Sequence, residues 1–130
     1  MLQIPPACDL TLGLSRVDGD EPGVTLWRTR VDERFLNPAG TVQGGFLAAI
    51  ADSAMGAAAV LAAGDRRVWV ANAEMKISFL RAVRPGATLT CRATVVRSGQ
   101  NVTFVEAQID DGGGGVARAS STYLVRDRTE

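Results

Sequence analysis

The sequence predicts an α+β domain in which one long apolar helix is wrapped by an antiparallel sheet of five to six strands. Three observations carry this expectation. Residues 44–63 are apolar and alanine-rich with little interruption, a run too long for a strand and suited to a buried helix. From Val68 onward the pattern changes to period two. The period-two runs are separated by short turn-forming clusters, so they read as an antiparallel meander.

Taken in order, residues 1–9 read as an N-terminal arm and residues 10–130 as a single domain. Leu10 to Val17 fits a short strand or a turn, ahead of the Asp18-Gly19-Asp20-Glu21-Pro22-Gly23 break. Val24, Leu26 and the run to Val31 alternate as a strand. A turn holding Pro38, Gly40, Gly44 and Gly45 then opens the helix, which ends near Gly64, a residue suited to the left-handed position after a helix. Ala73, Met75, Ile77 and Phe79 alternate with Asn72, Glu74, Lys76 and Ser78, up to the Arg84-Pro85-Gly86 turn. Ala87–Val96 is the next strand, Ser98-Gly99-Gln100-Asn101 a tight turn, and Val102–Ile109 a further strand. Asp110 to Gly115 contains four consecutive glycines and reads as a flexible hairpin loop, and Val116–Val125 closes the sheet.

Composition excludes several functions. Among 130 residues, 14 basic and 14 acidic side chains balance and are scattered, which leaves no stripe for nucleic acid and no polybasic patch for a membrane. The expected partner is a small molecule. The chain has no histidine, so a Ser-His-Asp triad, a Cys-His pair and most zinc sites are excluded, and acid–base work falls to carboxylates. Cys8 and Cys91 are far apart and lack metal-ligand spacing; they read as free thiols of a cytoplasmic protein. The opening residues MLQIPPACDL lack the basic and apolar regions of a signal peptide. Residues 44–63 are long enough to cross a membrane, but alanine and glycine insert weakly and Asp52 falls near the middle. Neither a metal nor a cofactor is expected.

The segment NPAGTVQGGFLAAIADSAMG, residues 37–56, carries the chemistry. A helix that starts at the glycines leaves its first N–H groups unpaired, with partial positive charge behind them, and such an end stabilises negative charge on a carbonyl oxygen. Asp52 lies inside the same helix among Ile50, Ala51, Ala54 and Met55, with no neighbouring cation in the sequence and almost no polar face to belong to. An acid in that setting is a candidate nucleophile or general base. Together the two features point to an acyl-thioester site, because a thiolate leaves without a strong general acid. Gly44 and Asp52 are eight residues apart, about 12 Å along a helix axis, so one carbonyl cannot meet both. Two chains related by a two-fold axis, with antiparallel helices, would bring the Gly44 of one to the Asp52 of the other.

With NAEMKISFLRAVRPGATL and the VVRSGQNVTFVEAQI hairpin added, the chain resembles hotdog-fold acyl-CoA thioesterases of the phenylacetate-degradation type over roughly residues 12–125. The resemblance implies a hotdog fold, dimers joined edge to edge and assembled further into a dimer of dimers, and hydrolysis of acyl-CoA in the cytosol with no cofactor beyond the CoA of the substrate. It implies that Asp52 is the catalytic carboxylate and Gly44 the oxyanion donor of the opposite subunit. Asn37 matches a position where an amide orients the water or the thioester, and Gln43 stands where many relatives carry histidine. Glutamine can donate a hydrogen bond there but cannot move a proton. Asn72 resembles a position that helps place the attacking water, and Arg97 with Gly99, together with Arg81, resemble positions that meet the CoA phosphates. Gly45 belongs to the substrate-facing turn, and the small helix residues leave room beside Phe46 and Met55 for an aryl or medium-chain acyl group. A noncatalytic acyl-CoA-binding hotdog domain is the alternative, and a hotdog dehydratase, which uses histidine, is disfavoured.

Overall fold

The computed structural model describes residues 3–17 and 21–129. A short helix α1 (Ala7–Leu12) leads into strands β1 (Ser15–Val17) and β2 (Val24–Arg30), a 3-10 turn (Glu33–Phe35) and the long helix α2 (Gly44–Ala62). Strands β3 (Val68–Phe79), β4 (Thr88–Ser98), β5 (Val102–Asp110) and β6 (Gly115–Asp127) follow. The six strands form one sheet in the order β1-β2-β4-β5-β6-β3, antiparallel at every pairing. This is the hotdog architecture, with α2 packed against β2, β3, β4, β5 and β6.

Helix α2 is apolar because one side of it is core. Leu47, Ile50, Ala51, Ala54, Met55, Ala58 and Ala59 are buried in it, facing Leu89, Cys91, Ala93, Val105, Ala107, Ile109, Ala117 and Ala119 of the sheet. By length and composition α2 could cross a membrane, yet here it is the helix that the sheet wraps. Alanines keep it narrow enough for the β2 hydroxyl of Thr25 to reach the carbonyl oxygen of Ala54 at 3.2 Å. It ends where Gly64 takes a left-handed backbone, φ 64°, as its position in the sequence predicts.

Three features depart from the sequence reading. Where the arm and the first strand or turn were expected, residues 7–12 are helical, bounded by Pro6 before it and by Gly13 at φ 62° after it, with Asp9 in the first turn. Thr29 fastens this helix to β2 by donating to the Leu12 carbonyl at 2.7 Å. The Asp18–Asp20 part of the expected break lies outside the described residues. In β3 the register shifts between Asn72 and Glu74: Ala73 is an extra residue, so Asn72 faces inward with Val68 and Val70, while Met75 and Ile77 face inward beyond the shift. A strict alternation had put Asn72 on the same side as Glu74 and Lys76. The glycine-rich loop is held rather than loose, because Asp110 accepts from Gly112 N at 2.6 Å, Asp111 from Gly113 N at 3.0 Å, and Arg81 donates to Asp111 and to the Gly114 carbonyl at 2.6 and 3.1 Å. The Arg81 guanidinium beside Asp111 holds its carboxyl below the usual carboxylate range.

Both cysteines are free, Cys8 exposed and Cys91 fully buried on β4. Burial pushes the Cys91 thiol up to about 12, which leaves it protonated and shielded at neutral pH. A thiol reagent is therefore expected to modify Cys8 alone in the native protein and Cys91 only after denaturation. Rapid labelling of both under native conditions, read by mass spectrometry, would contradict this packing.

Candidate active site

The segment before α2 is a folded platform. The Asn37 side chain accepts from Ala39 N at 2.9 Å and Thr41 N at 3.2 Å, and its amide reaches Thr41 Oγ1 at 3.1 Å. Gly40, at φ 79°, takes the bend that an L-residue side chain disfavours. Gln43 N donates to the Phe35 carbonyl at 2.8 Å, and Phe35, 2% exposed, stacks on Phe46 with ring centroids 4.5 Å apart. These contacts set the direction in which α2 begins. Asn37 thus builds the turn, and its amide group is engaged within its own loop.

Helix α2 starts at Gly44, and no side chain caps it: Gln43 occupies the cap position with its side chain exposed and not bonded to the helix. The Gly44 and Gly45 N–H groups have no acceptor among the described residues, so two of the helix's positive-end donors remain available. An apolar groove flanks each side of this end. One, of about 530 Å³, is lined by Cys8, Thr11, Leu12, Gln43, Gly45, Phe46 and Ala49. The other, of about 510 Å³, is lined by Val42, Gly44, Leu47, Phe79, Leu80, Arg81, Ala82 and Val83. The Phe79 ring lies so close to Gly44 that a Cβ there would stand 2.8 Å from its edge. Here the bare hydrogen of glycine serves close approach.

Asp52 lies two turns along α2, on its exposed side. Its Oδ1 accepts from Asn72 Nδ2 at 2.9 Å and from the Tyr123 hydroxyl at 2.6 Å. Oδ2 has no partner among the described residues. Asn72 reaches this carboxylate because of the β3 bulge, and its Nδ2 also lies 3.2 Å from Ser121 Oγ and 3.3 Å from the Tyr123 hydroxyl. The cost is borne by Asn72 Oδ1, which is buried without a partner among the described residues. Tyr123 is 2% exposed; burial, then the hydrogen bond to Asp52 and its negative charge, push the phenol far above its ordinary pKa, so it stays a donor.

The structure therefore brings Asp52 together with Asn72, and Gly44 together with Gln43, Gly45 and Phe46. It does not bring these two groups together within one chain. Met55, expected beside the acyl group, is wholly buried in the core, where it lies in phase with the buried Ala51, Ala58 and Ala59 of α2. Arg81 borders the groove beside Gly44, but its guanidinium is paired with Asp111. Arg97 and Gly99 lie at the other end of α2, where neighbouring Ser98 donates to the Ala62 carbonyl at 3.4 Å. Gly99 is accounted for by the hairpin, since its N–H donates to the Val102 carbonyl at 2.8 Å and a Cβ would come within 2.9 Å of that oxygen. Tyr123 and Ser121 escaped the sequence reading, although Tyr123 is the sole tyrosine and falls in phase with the buried Ala119 and Val125. Among the described residues no three His, Cys, Asp or Glu side chains cluster as metal ligands.

A bare helix start and an exposed carboxylate in mid-helix, on a helix wrapped by a six-stranded antiparallel sheet, define a hotdog-fold thioesterase. The chain matches the Thioesterase superfamily over residues 39–118, more than half its length, and belongs to that family. It is 30% identical over 94 residues to PA0474 of Pseudomonas aeruginosa, a protein named as an esterase, with 72% of this chain and 69% of that one aligned. Among solved structures it is similar to a phenylacetic acid degradation-related protein of Ralstonia eutropha JMP134, with a TM-score of 0.84, 32% identity, and coverage of 92% of this chain and 89% of that one. The Escherichia coli PaaI protein from the phenylacetic acid degradation operon superposes with a TM-score of 0.80 at 26% identity, covering 91% of this chain and 83% of that one.

The Gly44–Phe79 contact makes a prediction. Gly44→Ala should keep or slightly raise stability, since alanine favours a helix by up to about 1 kcal/mol over glycine. The displaced Phe79 ring should nevertheless obstruct the helix start, lowering kcat/KM for thioester hydrolysis. Measured against Phe79→Ala alone, which sets the cost of losing that groove wall, Gly44→Ala should lower kcat/KM little further, and an undiminished additional loss in the double variant would show that the clash is not the cause.

Proposed function

We propose that this chain hydrolyses acyl-CoA thioesters bearing aryl-acetyl, aromatic or medium-chain acyl groups, at a site shared by two copies. The observation that carries the reading is Asp52: an exposed mid-helix carboxylate held by two neutral donors, on a helix whose own start offers unpaired N–H groups about 12 Å away. Gly44 N–H of one protomer polarises the thioester carbonyl, and Asp52 of its partner acts on the carbon. In one route a carboxylate oxygen adds to that carbon, the C–S bond breaks, CoA leaves as the thiolate, and water hydrolyses the resulting anhydride. In the other the carboxylate takes a proton from water as the water oxygen adds to the carbon, and the thiolate again departs. Either ends in free acid and CoA.

Two features support the shared site. Strand β3 is an edge strand of 12 residues whose outer side has no partner among the described residues, and such an edge pairs readily with another copy of itself. Trp69, Phe79 and Leu80 on and beside it expose apolar surface. Pairing of two β3 edges makes a homodimer, and in this proposal such dimers pair further. The apolar grooves beside Gly44 and Gly45, with aromatic walls from Phe79 and Phe46, suit the acyl group and the pantetheine arm. Arg97, exposed and without an ion-pair partner among the described residues, is the better candidate of the two arginines for the CoA phosphates. Both reacting groups come from the protein, so the reaction requires no metal, and the cytoplasm, where CoA thioesters are made and used, is its setting. A dehydratase would need a histidine that the chain lacks.

The decisive assay is release of CoA from a panel of acyl-CoAs, followed with a thiol reagent after correction for Cys8. Turnover is expected with a chelator present. Asp52→Asn, which keeps size and removes the charge, should lower kcat at least about 100-fold while acyl-CoA still binds. Near-normal turnover in that variant would remove Asp52 from the mechanism, whereas binding of acyl-CoA without turnover by the unsubstituted protein would favour a noncatalytic acyl-CoA-binding domain. For the shared site, Asp52→Asn and Gly44→Pro chains unfolded together and refolded should regain activity in mixed dimers, where one intact site forms; absence of recovery from folded mixtures would place the site within one chain.

A further inference from the structure

We propose that Tyr123 is a positioning residue that, together with Asn72, holds Oδ1 of Asp52 and thereby makes Oδ2 the reacting oxygen. The inference rests on the thioesterase reading above. An exposed aspartate ordinarily turns about its side-chain bonds on a picosecond to nanosecond scale and presents its two oxygens interchangeably. Here both donors converge on the same atom, at 2.6 and 2.9 Å, and the shorter is a charge-assisted O–H···O⁻ contact. The donors come from β6 and β3, the acceptor from α2, so three packed elements fix one carboxylate plane.

Core packing does not account for this. A phenylalanine at 123 would keep the ring where it packs over Gly56. What the hydroxyl adds is a donor 2.6 Å from Oδ1 of Asp52, the nearer of its two acceptors there, the Asp52 backbone carbonyl lying at 3.0 Å, and it is itself contacted by the Asn72 amide at 3.3 Å. Tyr123 is too deeply buried to touch substrate, so its effect must pass through Asp52. Asn72 likewise directs its amide to this network while its own carbonyl oxygen is buried with no partner among the described residues. An arrangement that leaves a buried acceptor unmet in order to hold a surface carboxylate is consistent with selection for orientation rather than stability.

Tyr123→Phe tests the proposal. With Oδ1 released, kcat for acyl-CoA hydrolysis should fall about 10- to 100-fold, the scale of a misplaced reacting group, with KM little changed because no substrate contact is lost. A purely structural role would lower the yield or melting temperature of the protein and leave kcat per folded molecule intact. Asn72→Ala should show the same split. A spectroscopic readout is independent of turnover: the chain has one tyrosine, so phenolate absorbance on raising the pH reports Tyr123 alone. Asp52→Asn should bring that ionisation to lower pH, since it removes a negative charge beside the phenol. Normal kcat in folded Tyr123→Phe would overturn the positioning role while the thioesterase reading stands. If Tyr123→Phe does not fold, normal kcat in Asn72→Ala with an unmoved tyrosine titration in Asp52→Asn would overturn it equally. No turnover by the unsubstituted protein would overturn the thioesterase reading itself, and with it any catalytic orientation.

Discussion

The narrowness of α2 is the constraint from which the rest follows. A helix faced with Ala51, Ala54, Ala58 and Ala59 lets strands on several sides approach close to its backbone, and the sheet can then curl around it. Larger side chains at these positions would push the wall outward and break the Thr25 contact with the Ala54 carbonyl. Because the sheet-facing side of the helix is core, chemistry goes to the rest of it: the unpaired start, and the stripe that the sheet leaves uncovered. Gly44 occupies the first and Asp52 the second. The separation of the two is thus a result of how the core is made.

The large elements were legible in the sequence because each is long and periodic. The apolar run over residues 44–63 and the alternations after residue 68 have no competing interpretation of comparable length, and tertiary packing reinforces what they prefer locally. Helix α1 was not legible as a helix: six residues are too few to show a period, and it is held by Leu12 and Leu14 entering the core and by Thr29 of a distant strand. The glycine-rich hairpin was misread for a related reason. Composition reports how freely a free chain would move there, whereas Arg81, thirty residues away in sequence, supplies the clasp.

The candidate site divides in the same way. Asp52 and Gly44 stand out because each breaks a local pattern, a charge in an alanine helix and a paired glycine at its mouth. Tyr123 breaks none, since an aromatic residue at an inward position of a strand is what a core strand normally contains. Its meaning comes from its hydroxyl, and only the three-dimensional structure shows which atom that hydroxyl meets. Asn37 is the converse case, a residue conspicuous in the sequence whose hydrogen bonds are satisfied within its own turn.

The bulge in β3 has a mechanical side. Asn72 pairs with Tyr123 and Glu74 with Thr122, so the ladder is continuous in register on both sides of Ala73, which opposes nothing. Ala73 behaves as a shim: it adds length to one strand without changing which residues face one another across the seam. Its contribution is therefore curvature, the local bend and added twist that an unmatched residue brings to a ladder. The angle at which the Asn72 amide meets Asp52 is set by a residue with no functional group at all. In this sheet a change of chain length and a change of chemistry are separable, and a chain shortened at Ala73 could keep every side chain of the site while presenting them on a straighter strand.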